Sequence, residues 1–322
     1  MRKITRFAQT LILLFCCSIG PLSNAAEKKI VLIAGGPSHG PGEHEFRAGC
    51  LLLQKCFSQI PGVATSVYSN GWPTKVVAGK RLDDNAAFDG ADAIFIYSDG
   101  GDGHPAIRPE RLRVLGELMQ RGVGLGCGHY AVEVPKDKGG PELLQWIGGY
   151  FETFWSVNPH WTANFTNFPE HPITRGVQPF KANDEWYYHM RFPEGMKNVT
   201  PILTAIPPDN TRGREGVNDA HGGNPEVQKH KGEPEHMMWA IERPDGGRGF
   251  GFTGGHRHLN WTNHSFRLVI VNGILWTAKM EVPSEGFNTK ISAEDIAANL
   301  DPKGQKKKPA PAAGAAATQQ AK

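Results

Sequence analysis

Apolar positions along this chain recur in blocks that switch period. KKIVLIAG (28–35) is an unbroken apolar, β-branched run closed by glycine, the pattern of a strand buried on both faces of a parallel sheet. VATSVYSN (63–70), AIFIYSDG (93–100) and GVGLGCGH (122–129) read as three more strands. Between them the period becomes helical. Phe46, Leu51, Leu52 and Phe57 mark a helix over roughly 44–59, and RPERLRVLGELMQRG (108–122) has Pro109 near its start and glycine at its end. ELLQWIG (142–148) starts another. Strands alternating with helices at this spacing predict an α/β fold with a doubly wound, mainly parallel, flavodoxin-like sheet.

The second half changes texture. Residues 150–235 are rich in proline, aromatics and charge and read as an irregular, aromatic-rich insertion, with strand candidates DEWYYHMRF (184–192) and VTPILTAI (199–206). MMWAIERPDGGRGFGFTGG (237–255) predicts two strands around a Pro-Asp-Gly-Gly turn, and SFRLVIVNGILWTA (265–278) a closing helix. The pattern shows no internal repeat.

Both ends depart from this body. In residues 1–25, Arg2, Lys3 and Arg6 precede an apolar stretch (11–19) and the small-residue site Ser23-Asn24-Ala25. That is the pattern of a cleaved signal peptide, too short to span a bilayer, so a periplasmic or secreted location is expected. The Lys-, Pro- and Ala-rich segment 303–322 has almost nothing to bury and is expected to be disordered, after a C-terminal extension over 283–302. The domain proper is then 26–282. The whole chain carries a net charge of +3, but the ends hold eight basic residues and no acid, leaving residues 26–302 at −5. The body therefore has no electrostatic case for nucleic acid. Of five cysteines, Cys16 and Cys17 leave with the signal peptide, and Cys50, Cys56 and Cys127 do not form a disulfide framework. All 13 histidines lie in the body, which makes histidine the residue to follow.

A sheet of this kind, a short turn after the fourth strand and a final hairpin ending in histidines resemble the class I glutamine amidotransferase fold. Laying Gly124-Leu125-Gly126-Cys127-Gly128-His129 on that family's Gly-x-Cys-x-Gly-His turn puts Gly126 at the nucleophile position and Cys127 one place late. On a strand, a shift of one residue turns the side chain to the opposite face, so Cys127 reads as buried core rather than a nucleophile. A residual thiol hydrolase would need that sulfur exposed beside a histidine. The stretches IAGGPSHGPGEHEF (33–46), GCGHYAVEVPK (126–136), WSVNPHW (155–161), DEWYYHMRF (184–192) and GRGFGFTGGHRHLNW (247–261) make the chain similar to the ThuA-like (trehalose utilisation) family, in its secreted branch. That resemblance implies carbohydrate metabolism, including keto-sugars made by a partner sugar dehydrogenase, and no thiol nucleophile. It does not supply a mechanism.

Ligands of open α/β sheets bind outside the carboxyl ends of the strands. His39 and His44 follow the first strand. A cationic His44 would oppose the positive end of a helix, so it is expected to be neutral, leaving His39 as the better site candidate. Asp99, Asp102 and His104 follow the third strand in a spacing unlike a calcium loop and read as an ordinary turn. His129 and Glu133 would share one face of a helix starting after the fourth strand. Glu185 and His189 project together whether their segment is strand or helix. His256 and His258 point the same way on an extended segment, an arrangement suited to metal ligands if His129 or Glu185 supplies a third. Trp155, His160, Trp161, Trp186, Tyr187 and Trp261 thicken the same stretches, and all but Trp186 are expected to contact a sugar.

The sequence therefore leaves two function classes. One is an exported hydrolase, lyase or isomerase acting on a small carbohydrate or keto-sugar through His39, His129, Glu133, Glu185, His189 and His256, with a divalent metal as the one cofactor considered. The other is a carbohydrate-binding or scaffold module on an enzyme fold.

Overall fold

The computed structural model describes residues 27–217 and 219–304. Residues 1–26, where a signal peptide is expected, and the tail beyond 304 lie outside the described residues. In chain order the elements are β1 (Lys28–Ala34), α1 (Phe46–Phe57), β2 (Val63–Tyr68), β3 (Thr74–Val77), β4 (Lys80–Asp83), β5 (Ala93–Tyr97), α2 (Pro109–Gln120) and β6 (Gly124–Gly128). They continue with α3 (Gly140–Trp146), β7 (His160–Phe165), β8 (Phe180–Glu185), β9 (Val199–Ala205), α4 (Pro225–Lys229), β10 (Glu235–Glu242), β11 (Arg248–Phe252), α5 (His264–Thr277) and α6 (Ala293–Ala297).

Seven strands form the main sheet in the order β2-β1-β5-β6-β11-β10-β9. The first five are parallel, and β10 and β9 add an antiparallel edge. Counted within the sheet, those five run 2-1-3-4-5, the flavodoxin-like doubly wound order. Residues of β1 bury alternately into two layers. Ile30, Leu32 and Ala34 pack with α1 and α5, while Val31 and Ile33 pack with α2 and α3. This two-sided burial is why the strand shows no polar alternation.

The glycines of β6 have a packing cause. Leu125 and Cys127 fill the α2/α3 face. On the other face a Cβ on Gly126 would lie 2.3 Å from the Phe250 ring, and one on Gly128 would lie 2.7 Å from Phe95. Rings from the flanking strands occupy the space that β6 leaves empty. Cys127 is fully buried and burial pushes its thiol pKa up, so it is core.

Two small hairpins lie outside the main sheet and escaped the sequence pattern: β3–β4 and β7–β8. The second corrects the reading of 184–192 as one strand. β8 ends at Glu185, and His189 adopts a left-handed φ of 56°. That turn breaks the period of two that would have put Glu185 and His189 on one face.

Two expectations follow. Gly126→Ala forces a methyl against Phe250 and should cost about 1–3 kcal/mol, read by denaturant unfolding; an unchanged midpoint would refute the packing argument. His104, in the loop after β5, has its pKa pushed down to about 4 by burial. The unfolded chain takes up that proton below its ordinary 6.5 and the fold does not. His104 thus contributes stability that is full above about 6.5 and declines as pH falls towards about 4. His104→Gln should flatten that part of the stability-against-pH curve, and equal slopes would contradict it.

Candidate functional site

Four loops at the carboxyl ends of β1, β6, β8 and β11 bring three imidazoles and one carboxylate to a single point. His44 Nε2 lies 3.0 Å from His129 Nε2 and 3.0 Å from His256 Nδ1. Glu185 Oε2 lies 3.1 Å from His256 Nδ1 and 3.5 Å from His129 Nε2. One ligand atom from each of the four residues falls within 4.8 Å of every other. His44, His129 and His256 are buried.

The outer ring nitrogens fix where the protons are. His129 Nδ1 is 2.9 Å from the carbonyl of Thr253, which can only accept, so it donates. His44 Nδ1 is 2.8 Å from Asp99 Oδ1, and Ser38 donates to the same carboxylate oxygen. His44 and His129 are neutral. Burial, then the neighbouring histidines His39 and His256, push His44 down to about 2. Burial and His44 hold His129 well below its ordinary value, against the opposing pull of Glu185. Two Nε2 lone pairs therefore face each other at 3.0 Å with no proton between them. A proton on His256 Nδ1 can serve His44, but His129 Nε2 then still faces a lone pair and a carboxylate. The arrangement is repulsive unless a cation sits among the four atoms. Imidazoles whose second N–H is held by a carboxylate or a backbone carbonyl are the usual supports of a metal centre. Burial raises the Glu185 carboxyl, yet its bond to His256 and the surrounding imidazoles leave it below the usual range, so it is an anionic donor.

Two of the site residues also carry backbone strain. His44 and His129 have φ of 47° and 52°, a region costly for a side chain with a Cβ. His129 is the apex of the turn after β6. The placement of Gly126 at that apex is corrected: Gly126 is mid-strand, paired with Phe95 and Phe250. The loops are clamped from below. Asp184, fully buried, accepts from the backbone N–H of Gly255 (2.6 Å) and Arg257 (3.0 Å), on either side of His256. The chain packs behind His44 as far as Lys303, which corrects the start of the segment expected to be disordered: its first residue is ordered and paired. Lys303 pairs with Glu45 at 3.3 Å, with side chains 6% and 1% exposed, and donates to the carbonyls of Glu43 and His44.

The sequence-expected residues divide. His129, Glu185 and His256 meet at the centre. His39 is exposed at its rim, its ring 3.6 Å from that of His44. His44 takes the inner position the sequence reading gave to His39; it is neutral, as expected, with burial as the main cause. His258 is corrected as a partner of His256. Its Nε2 meets the Ile296 carbonyl at 3.0 Å, because a short helical turn starting at His258 rotates it away. His189 stands apart, facing Glu235 at 3.4 Å and stacked on Trp155. Glu133 does not share a face with His129. The turn between them is 3-10, and Glu133 pairs instead with His221 at 3.4 Å. Of the aromatics, Tyr187 donates to Glu185 at 3.3 Å and His160 lies 3.9 Å from its other oxygen. Trp161 and Trp261 are core, filling space under the loops, and Trp155 is half-buried between His189 and Arg191. Sequence reasoning ranked His44 below His39, read Asp99 as part of an ordinary turn, and missed Asp184 and His221. The available signal was that loops after neighbouring parallel strands must meet.

Comparison with solved structures supports the fold. A ThuA-like protein from Parabacteroides merdae superposes with a TM-score of 0.54 at 17% identity, covering 84% of this chain and 99% of that one. A ThuA-like protein from Bacteroides uniformis gives 0.53 at 16%, covering 80% and 94%. No curated protein sequence matches. The family profile described as trehalose utilisation matches residues 58–277, most of the described α/β body. The chain belongs to the ThuA family.

Proposed function

We propose that the protein is a metal-dependent enzyme acting on a carbohydrate or keto-sugar, with a divalent transition ion held by His44 Nε2, His129 Nε2, His256 Nδ1 and Glu185. The observation that carries this reading is the pair of unprotonated Nε2 atoms at 3.0 Å. Four of the six separations around the centre are 3.0 to 3.5 Å and all lie within 4.8 Å, close to the roughly 3.4 Å between neighbouring ligands of a tetrahedral ion with bonds near 2.1 Å. Three imidazoles and a carboxylate suit zinc, iron or manganese better than calcium or magnesium, which take mainly oxygen. An ion there supplies Lewis acidity towards a sugar carbonyl or a water molecule.

The protein's own groups supply proton handling. Glu185 is anionic and engaged, which makes it a poor proton donor. Glu133 is the better candidate: burial raises its pKa, and its Oε2 has no hydrogen-bond partner among the described residues. Its partner His221 is 39% exposed, and the bond to Glu133 raises its pKa. The pair can hold a proton and exchange it with solvent, and the charge of Glu185 raises both groups further. The exposed ring of His160 stands where hydroxyl groups of a sugar would approach Glu185, and the buried phenol of Tyr187 holds that carboxylate from the core side. ThuA-family membership supports the substrate class, and the basic-then-apolar N-terminal pattern supports export to the periplasm or beyond.

Metal analysis of the full chain, purified without chelators or a polyhistidine tag, should find near one equivalent of a transition ion. His44→Ala and His129→Ala should each lose it. Metal-free protein that stays metal-free on reconstitution would overturn the reading. Asp99→Ala, which removes the acceptor of His44 Nδ1–H, should weaken metal affinity about 10- to 100-fold without unfolding the chain. Glu133→Gln should keep the metal and lower turnover on glycosides or keto-glycosides by about 100-fold. Unchanged turnover would remove Glu133 from the chemistry.

A further inference from the structure

The sheet has its switch point between β1 and β5, because the chain leaves β1 for β2 on one side and returns to β5 on the other. A cleft of about 700 Å³ opens there, separate from the four-ligand centre but sharing Asp99 with it. Its floor is backbone. A Cβ on Gly35 would lie 2.8 Å from Ser98 Cα, so the two loops touch, and Gly36 leaves its backbone open to the cleft.

Charge is unevenly distributed along this cleft. Arg111 is immobilised as a wall, bidentate to Asp83 at 2.7 Å and bonded to the Pro105 carbonyl at 2.7 Å. Asp102 is paired with Lys138. Arg81 and Arg108 also line the cleft, both are exposed, and neither forms an ion pair among the described residues. Arg81 lies two residues before Asp83 on β4, so its side chain projects to the same face as the carboxylate that fixes Arg111. The end nearest the four-ligand centre carries Asp99. Its Oδ1 is used by His44 and Ser38, while no partner stands at Oδ2 among the described residues.

We propose that this cleft is a subsite for a sugar bearing an anionic substituent. Arg81 and Arg108 bind the anion, and Asp99 Oδ2 accepts a hydroxyl at the end that meets the four-ligand centre. The inference rests on the carbohydrate reading above but not on the metal. A neutral sugar offers the two guanidinium groups nothing to neutralise, whereas a carboxylate or phosphate gives each a charge-assisted bond. Asp99 makes the cleft and the centre one site, because the carboxylate that contacts the ligand is the one that orients His44.

The test is calorimetric titration of the full chain with glucuronate, glucose 6-phosphate, glucose and inorganic phosphate, each with and without bound metal. The anionic sugars should bind about tenfold more tightly than glucose, the scale of one added charge-assisted contact. Arg81→Gln/Arg108→Gln should erase that difference while leaving metal content and the circular dichroism spectrum unchanged. Preference for glucuronate assigns the anion as carboxylate, and preference for glucose 6-phosphate assigns it as phosphate. Equal affinity for glucose and the anionic sugars overturns the proposal, as does selectivity that survives the double variant or the absence of any binding. Inorganic phosphate binding as tightly as the sugar phosphate removes the sugar from it. Selectivity that persists in metal-free protein upholds the cleft even if the metal reading fails.

Discussion

Three buried imidazoles and a carboxylate cannot satisfy one another when there are too few protons to share. Asp99 and the Thr253 carbonyl each claim a proton on the outer side of a ring, which turns the bare nitrogens of His44 and His129 inwards. Burial then forbids the charged imidazolium that would relieve the contact. The rest of the local structure holds this unfavourable constellation together. The left-handed backbone at His44 and His129, the buried Asp184 under the His256 loop and the Lys303–Glu45 pair all cost free energy or side-chain freedom. On the reading proposed above, the compensating interaction is a bound cation, which fits the donor set.

The sheet below is built to let those loops converge. Glycines on β6 face rings from β5 and β11, so the strands carrying the His129 and His256 loops are fitted to each other through ring-on-backbone contact. That is also the answer to the cysteine embedded among those glycines. Cys127 shares a face with Leu125 against α2 and α3, away from the turn, and is out of reach of the site chemistry.

Much of the fold was legible in the sequence, because strands buried on both faces leave long apolar runs and the helices between them carry their own period. The β3–β4 hairpin was not legible, since its residues are exposed and carry no apolar alternation. The site was legible in part. His129, Glu185 and His256 could be found by ranking polar residues at strand ends. His44 could not be ranked above His39 without the backbone conformation that turns it inwards. His258 and Glu133 were misplaced for one reason: short 3-10 turns replaced the extended or α-helical geometry that the spacing arguments assumed. His221 comes from a distant insertion, and no local pattern connects it to Glu133.

Metal-edge anomalous diffraction from crystals of the full chain tests the central claim most directly. The account predicts one strong peak about 2.0–2.2 Å from His44 Nε2, His129 Nε2 and His256 Nδ1, with Glu185 as the fourth protein ligand. Absence of a peak, with the His44 or His129 ring turned so that an N–H points into the pocket, would contradict it.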